Sequence, residues 1–432
     1  MKSRQLLLVT VLCVCWIVMS SGHAADIVAD VMAAGKWQSL WDGKTLAGWH
    51  IIGSGEWTVE DGAIVARHRP DDSQFGHLVS DQVYRDFIIR IKYKSTKGNS
   101  GLYFRIDEKG STGVTGFQAE IDWRIHAGGL YETDGRAWVI RPEPGDAKKW
   151  FKQDDWNEMV VAAIGRDVVV YVNGMKSAEL RNDPGRLAGR LALQLHGGQA
   201  VEVMFRDLEI MTFDSLTAAG DLSAFGKPAD GWACTDAITL SPADDRALVA
   251  GGRPDSPTVY NGVKGNAPNL FTRSEYGDVA AHIEFMIPKR SNSGIYFQGR
   301  YEIQVYDSFG VIKDKYPGIE CGGIYPRWIN NTEHEGHSPL INASLSHGQW
   351  QSFDVVFQSP KFDASGRKTG NAKFVKVVHN GRLIHENIET TGPTRAAAFE
   401  DEKTLGPVMF QGDHGPVAYR NVSVMRLEAG KK

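Results

Sequence analysis

One pattern in this chain occurs twice. Asn99-Ser100-Gly101-Leu102-Tyr103-Phe104-Arg105 leads into Gly116-Phe117-Gln118-Ala119-Glu120-Ile121-Asp122, and Asn292-Ser293-Gly294-Ile295-Tyr296-Phe297-Gln298 leads into Tyr301-Glu302-Ile303-Gln304-Val305-Tyr306. In each pair apolar and polar residues alternate, so each reads as two neighbouring strands with one packed face and one hydrogen-bonding face. Other landmarks repeat in the same order. Gly128-Gly129-Leu130-Tyr131 matches Gly322-Gly323-Ile324-Tyr325, Trp156 matches Trp350, and Asn173-Gly174 matches Asn380-Gly381. Gln194 matches Gln411, and Phe205-Arg206-Asp207 matches Tyr419-Arg420-Asn421. The chain is therefore two copies of one fold.

Each copy has many short alternating runs, Xaa-Gly hairpin signals and no long helical periodicity, which reads as an all-β sandwich of jelly-roll type. The 47 glycines among 432 residues suit that turn density. Expected boundaries are 36–213 and 231–428, joined by a linker at 214–230 and preceded by a short lead-in at 25–35. The second copy carries a long insertion over 308–346, whose aromatic content suggests an ordered binding element.

Residues 1–24 read as a signal peptide. Lys2 and Arg4 precede an apolar run, and Gly22 and Ala24 provide small residues for a cut after Ala24. The run is shorter than the roughly 20 residues of a membrane span, so the mature chain is expected in the periplasm or secreted, with no span. Cleavage removes Cys13 and Cys15. Cys234 and Cys321 remain, with one disulfide and two buried thiols equally open. A net charge of −4 describes no basic surface and argues against a nucleic-acid partner.

A strand face mixing Tyr, Gln and Glu suits a glycoside or oligosaccharide. Alignment of the copies sets Gln118 against Glu302, Glu120 against Gln304 and Asp122 against Tyr306. The candidate proton-handling groups are Glu302, Glu120 and Asp122, with His196 and His414 assisting. Arg105, Gln118, Gln298, Gln304, Tyr306, Tyr325, Gln194 and Gln411 are candidate substrate ligands, and Trp123 and Trp328 candidate stacking surfaces. His334 and His337 lie in a Gly-containing loop at i,i+3, not at the helical i,i+4 zinc spacing. No cofactor is called for; a structural cation such as calcium stays open.

These landmarks resemble the 3-keto-disaccharide hydrolase family of concanavalin-like, jelly-roll sandwiches. The resemblance rests on Leu40-Trp41-Asp42-Gly43-Lys44, both Asn-Ser-Gly strands, Tyr301-Glu302-Ile303-Gln304, Trp156-Asn157, the Asn-Gly turns and Tyr419-Arg420-Asn421. It implies an exported enzyme acting on glycosides already oxidised at carbon 3. The ketone acidifies the carbon-2 hydrogen, and a base can then remove it and expel the glycosidic oxygen, by elimination or with net hydrolysis. The second copy keeps the family's Glu-x-Gln order and is the one expected to carry this reaction. Two alternatives stand beside it: a non-catalytic carbohydrate-binding tandem, and an ordinary endo-glycosidase. Glu120-Ile121-Asp122 resembles the start of a laminarinase-type Glu-x-Asp-x-x-Glu strand, but its final acid is missing.

Overall fold

A computed structural model describes residues 26–428 apart from 123–124, 144, 227–229, 253–256 and 316–319. The signal segment and Trp123 lie outside the described residues. Each copy is an antiparallel β-sandwich, as expected. The first has a front sheet in the order Ala137–Ile140, Leu130–Thr133, Gly113–Asp122, Asn99–Lys109, Gly189–Leu195, Gly76–Tyr84, Trp49–Gly53, and an eight-stranded back sheet. Leu102, Phe104, Phe117, Leu193 and Leu195 face Ile89, Ile91, Val161 and Phe205 across the core. This is the packed face the alternation predicts.

The second copy keeps an eight-stranded back sheet, but its front sheet has four strands: Leu270–Tyr276, Gly406–Phe410, Asn292–Phe297 and Tyr301–Tyr306. Its core gathers Ile295, Phe297, Ile303 and Val305 against Ile283, Phe353 and Val424. Cys321 is a buried free thiol in this core.

The repeated motifs have local physical reasons. Asn173 and Gly174 have φ of 50° and 78°, and Asn380 and Gly381 have 51° and 73°. Two consecutive positive φ values match the twist of a tight hairpin, which Asn-Gly tolerates. Arg206 lies over the Trp156 ring at 4.0 Å and Arg420 over Trp350 at 4.0 Å, so the repeated Trp and Arg form one cation–π contact in each copy.

The copies pack back to back. Ile88, Val160, Ala162 and Ile164 of the first back sheet share an apolar cluster with Ala280, Val356, Val378 and Met425 of the second. The lead-in helix Val28–Ala34 adds Val28 and Val31 to it. Polar ties cross the same interface: the Ser423 hydroxyl donates to Asp86 at 2.5 Å, and the Arg85 guanidinium to Asn421 at 2.9 Å. Much of the expected linker belongs to the second unit. Asp214–Ser215 pairs with Ala418–Arg426, and Leu216 and Phe225 enter the second core. Within the 308–346 insertion, Arg327–Ile329 pairs with Thr332–His334, so its described part carries ordered structure.

The two strand hairpins differ most in their turns. In the second copy only residues 298–300 separate Phe297 from Tyr301. In the first, residues 105–116 form a long bent extension, with Arg105 at φ 52° and Gly116 at φ 119°. Ile106 and Val114 of this extension pack on Val79, Tyr103 and Ala192 of the front sheet's outer face. Its tip reaches the far edge strand, where Gly53 donates its backbone N–H to Ser111 at 3.0 Å. The extension is an arch over the sheet.

Candidate active site

Beside the arch, the front face of the first unit holds a cavity of about 440 Å³, within the range of small-molecule sites. Strand pairing assembles its floor. Glu120 stands opposite Gly101, Gln118 opposite Tyr103 and Tyr131, Asp122 opposite Asn99, and Gln194 opposite His77. Phe75, His126, Trp138 and His196 complete much of the wall.

The glycine of Asn-Ser-Gly is what lets the floor form. A side chain on Gly101 would collide with the Gln118 amide, which lies across it. From there the Gln118 Nε2 donates to Glu120 at 2.9 Å and to Gln194 Oε1 at 3.1 Å, and Gln194 donates to the Tyr103 hydroxyl at 3.3 Å. Asn99 donates to the other Glu120 oxygen. Burial raises the Glu120 carboxyl to about 8; the Asn99 hydrogen bond opposes this and the Asp122 charge adds to it. A carboxyl buried yet aimed into a cavity is a candidate for proton transfer.

The histidines differ in kind. His196 packs on Phe75 at 4.6 Å with the rings tilted, and its Nδ1 lies 2.7 Å from the Gly197 carbonyl. A carbonyl only accepts, so Nδ1 carries the proton and the neutral ring offers Nε2 as an acceptor. The Nδ1 of His126 sits 3.1 Å from Asp122, and Arg141 Nε donates to its Nε2 at 3.1 Å. His77 is 2% exposed, and neither ring nitrogen has a hydrogen bond of ordinary geometry. Burial pushes its imidazole down to about 4, against a contact with the Thr112 backbone at the arch tip.

The second unit repeats the floor with the carboxylate moved. Gln304 stands opposite Gly294 and Glu302 opposite Tyr296, with Asn292 opposite Tyr306. Here a side chain on Gly294 would collide with the Glu302 carboxylate. Gln304 donates to Asn292 at 2.6 Å. Burial raises Glu302 to about 8, against a hydrogen bond from Tyr296. This polar face is not solvated: Tyr296, Glu302 and Gln304 are all buried. Tyr325 donates its backbone N–H to the Glu302 carbonyl at 3.1 Å. Gln411 is buried, Tyr306 half-buried, and His414 is exposed and paired with Asp413 at 2.5 Å.

Two expected ligands are turned elsewhere. Arg105 has positive φ at the base of the arch, and its guanidinium donates to the Arg85 carbonyl at 2.8 Å and to Asp86 at 3.3 Å. Gln298, its counterpart, has φ 57° and donates to the Tyr276 and Thr404 carbonyls at 3.1 and 2.9 Å. Alternation fails at both because the strand bends there, and each side chain fastens the bend. Among the cavity residues that carry no role in the sequence reading are His77, His126 and Trp138. His77 had a legible signal, a lone histidine on the polar side of an alternating strand. His126 and Trp138 reach the cavity from beyond the strand's end, where alternation says nothing.

The family model of the 3-keto-alpha-glucoside-1,2-lyase-like domain matches the chain twice, over residues 36–211 and 221–425. The chain belongs to this family. Membership makes it a carbohydrate-active protein of glycosyl-hydrolase-like or sugar-binding type. Comparison with curated protein sequences returns no match. Among solved structures the lyase-like tandem is similar to a Parabacteroides distasonis protein provisionally described as a glycosyl hydrolase, at 24% identity and TM-score 0.37, covering 50% of this chain and 84% of that one. It is also similar to the carbohydrate-binding module CBM66 of Bacillus subtilis, at 14% identity and TM-score 0.31, covering 38% and 96%. Among the described residues, no helix is long and apolar enough to cross a membrane.

Proposed function

We propose that this protein is an exported enzyme that cleaves 3-keto-glycosides in the cavity of its first unit, with Glu120 as the base. The observation that carries the reading is the Glu120 carboxyl, buried at the cavity floor and raised to about 8. A base whose pKa lies close to the working pH combines strength with a usable ionised fraction. Ionised Glu120 takes the proton from carbon 2. The electron pair of that C–H bond delocalises into the carbon-3 ketone as an enolate. Collapse of the enolate forms the C1=C2 double bond and breaks the bond from carbon 1 to the glycosidic oxygen, which leaves and takes up a proton. Addition of water to the product gives net hydrolysis.

The neighbours have roles that fit. Asn99 and Gln118 hold the carboxylate by one oxygen each. His126, paired with Asp122, lines the cavity together with Trp138, and the two rings lie 4.9 Å apart. An aromatic ring beside polar groups suits a sugar face, and the departing oxygen takes its proton from water. This differs from the expectation that favoured the second copy, and the reason is the cavity.

The test compares release of the leaving group from a 3-keto-glucoside and from the unoxidised glucoside. Release from the keto substrate alone is expected; equal release from both, or none, would sink the reading. Export is checked by sequencing the N-terminus of protein recovered from the periplasm or medium, where Ala25 is the expected first residue.

A further inference from the structure

We propose that the arch closes one side of the cavity, so that the site takes only the free end of a sugar chain, and that His77 is the polar ligand of that end ring. The proposal rests on the reading of the cavity as a sugar site and adds which part of a sugar enters it.

Three observations carry it. The arch is fixed to the sheet by its own small apolar cluster, Ile106 and Val114 on Val79, Tyr103 and Ala192. Its tip is tied to the edge strand by the Gly53–Ser111 bond, and Thr112, Gly113 and Val114 form cavity wall. Beyond Gly53 the Glu108 carboxylate at 3.0 Å and Asp81 at 2.8 Å hold His50 from either side, pinning the arch further along that strand. A chain running across the sheet is stopped there. Among the described residues, the opposite side, at Trp138 and His126, has no such arch.

Under the arch, His77 is buried at 2% exposure, neither ring nitrogen has a hydrogen bond of ordinary geometry, and the Thr112 backbone at the arch tip is its one polar contact from the arch. A buried polar ring without full hydrogen bonding is costly, and His77 lines the cavity, where a ligand would supply the missing partner. The neutral ring is one donor and one acceptor, which matches a sugar hydroxyl or a hydroxyl–ketone pair and matches neither an anion nor an apolar group. With the end ring at His77, Glu120 sits between that ring and the Trp138 side, where the bond to be broken would lie. The second unit has the short connection 298–300 in place of the arch.

The test is binding by the full mature chain, measured calorimetrically with unoxidised glucose disaccharides and tetrasaccharides in α- and β-linkage, and with tetrasaccharides blocked by a bulky ether on the terminal non-reducing ring. Free disaccharide and tetrasaccharide are expected to bind within about threefold of one another, and the block to weaken binding more than about tenfold. His77→Ala should weaken free-end binding about tenfold, and replacing residues 108–112 by Asn-Gly should restore binding of the blocked sugar. Equal binding of blocked and free sugars by the unaltered protein overturns the proposal, as does binding of none of them; that measurement needs no variant to fold. Cleavage of a 3-keto-glucoside is assayed on the same preparations. End-selective binding without cleavage retires the catalytic reading and keeps the end subsite, and cleavage with equal binding of blocked sugars does the reverse.

Discussion

The two units share a strand register residue for residue, from Asn99 opposite Asp122 to Tyr103 opposite Gln118, and from Asn292 opposite Tyr306 to Tyr296 opposite Glu302. In both, a glycine makes room for a side chain lying flat across the strand. That side chain is an amide in the first unit and a carboxylate in the second. The exchange moves the acid by two residues, about 6.6 Å along the strand. It also changes the partners: Glu120 is held by two amides beside a cavity, while Glu302 is met by the Tyr296 hydroxyl on a buried face. The Asn-Ser-Gly motif is thus scaffold. What differs in chemistry comes from the Gln/Glu exchange and from the length of the turn that follows.

The sharpest way to break this comparison is to neutralise each acid separately. Glu120→Gln is expected to lower kcat/KM on a 3-keto-glucoside by at least about 100-fold, the usual scale for loss of a general base. Glu302→Gln should cost less than about threefold. The reverse result would hand the reaction to the second unit, where the sequence pattern favoured it.

Next in size is an exchange that makes the first unit read like the second. Gln118→Glu combined with Glu120→Gln keeps the charge and the number of hydrogen-bonding groups but shifts the acid along the strand. A misplacement of that size should cost at least about tenfold in kcat. Retention of full activity would show that position on the floor is immaterial and would remove the distinction drawn between the units. Steady-state kinetics on correctly folded double variant decides it.

The fold was legible because alternation and duplication report directly on which face of a strand is packed. Leu193 and Leu195 in the core with Gln194 toward the cavity are read without a structure, and so is the residue-by-residue match between the copies. Alternation stops being informative where a strand bends. Arg105 and Gln298 both sit at positive φ, and one left-handed residue is enough to turn a side chain off its expected face. Nor does it reveal what covers a polar face, which is why Glu302 and Glu120 look equivalent in sequence and differ in surroundings. The arch is a run of ordinary turn residues, Glu108 to Gly113, and its role depends on contacts with Val79 and Gly53 far away in the chain.

A smaller effect concerns pH. With Glu120 raised to about 8, about a tenth of the enzyme is ionised at pH 7, since each pH step of one is a factor of ten. As base, it should make kcat/KM rise about tenfold per pH step from pH 6 and level off above 8. A fall over that range would assign Glu120 as an acid instead. Glu302→Gln should leave the profile where it is.

The smallest expected effect, on stability, is the one in which the two units should behave alike. Glu120 and Glu302 each go from 4.5 to about 8 on folding. A carboxyl whose folded pKa is raised favours folding in its neutral form, so its contribution is fully present below pH 4.5 and is lost as pH rises through 8. A tenfold change in proton affinity is worth about 1.4 kcal/mol, and water reaching the charge on local opening will take back part of the total. The melting temperature of the unaltered protein should therefore fall between pH 5 and 9. Either Gln variant, which cannot ionise, should fall less, by a few degrees at about 2–4 °C per kcal/mol, and the double variant less again. Differential scanning calorimetry at matched ionic strength measures this. If the single variants flatten the curve alike while only Glu120→Gln removes activity, the two carboxyls impose one energetic strain on the fold and only one of them does chemistry. Unequal flattening would instead mean that the second acid lies closer to water than its burial implies, and that the contrast between an open site and a closed one is too sharp.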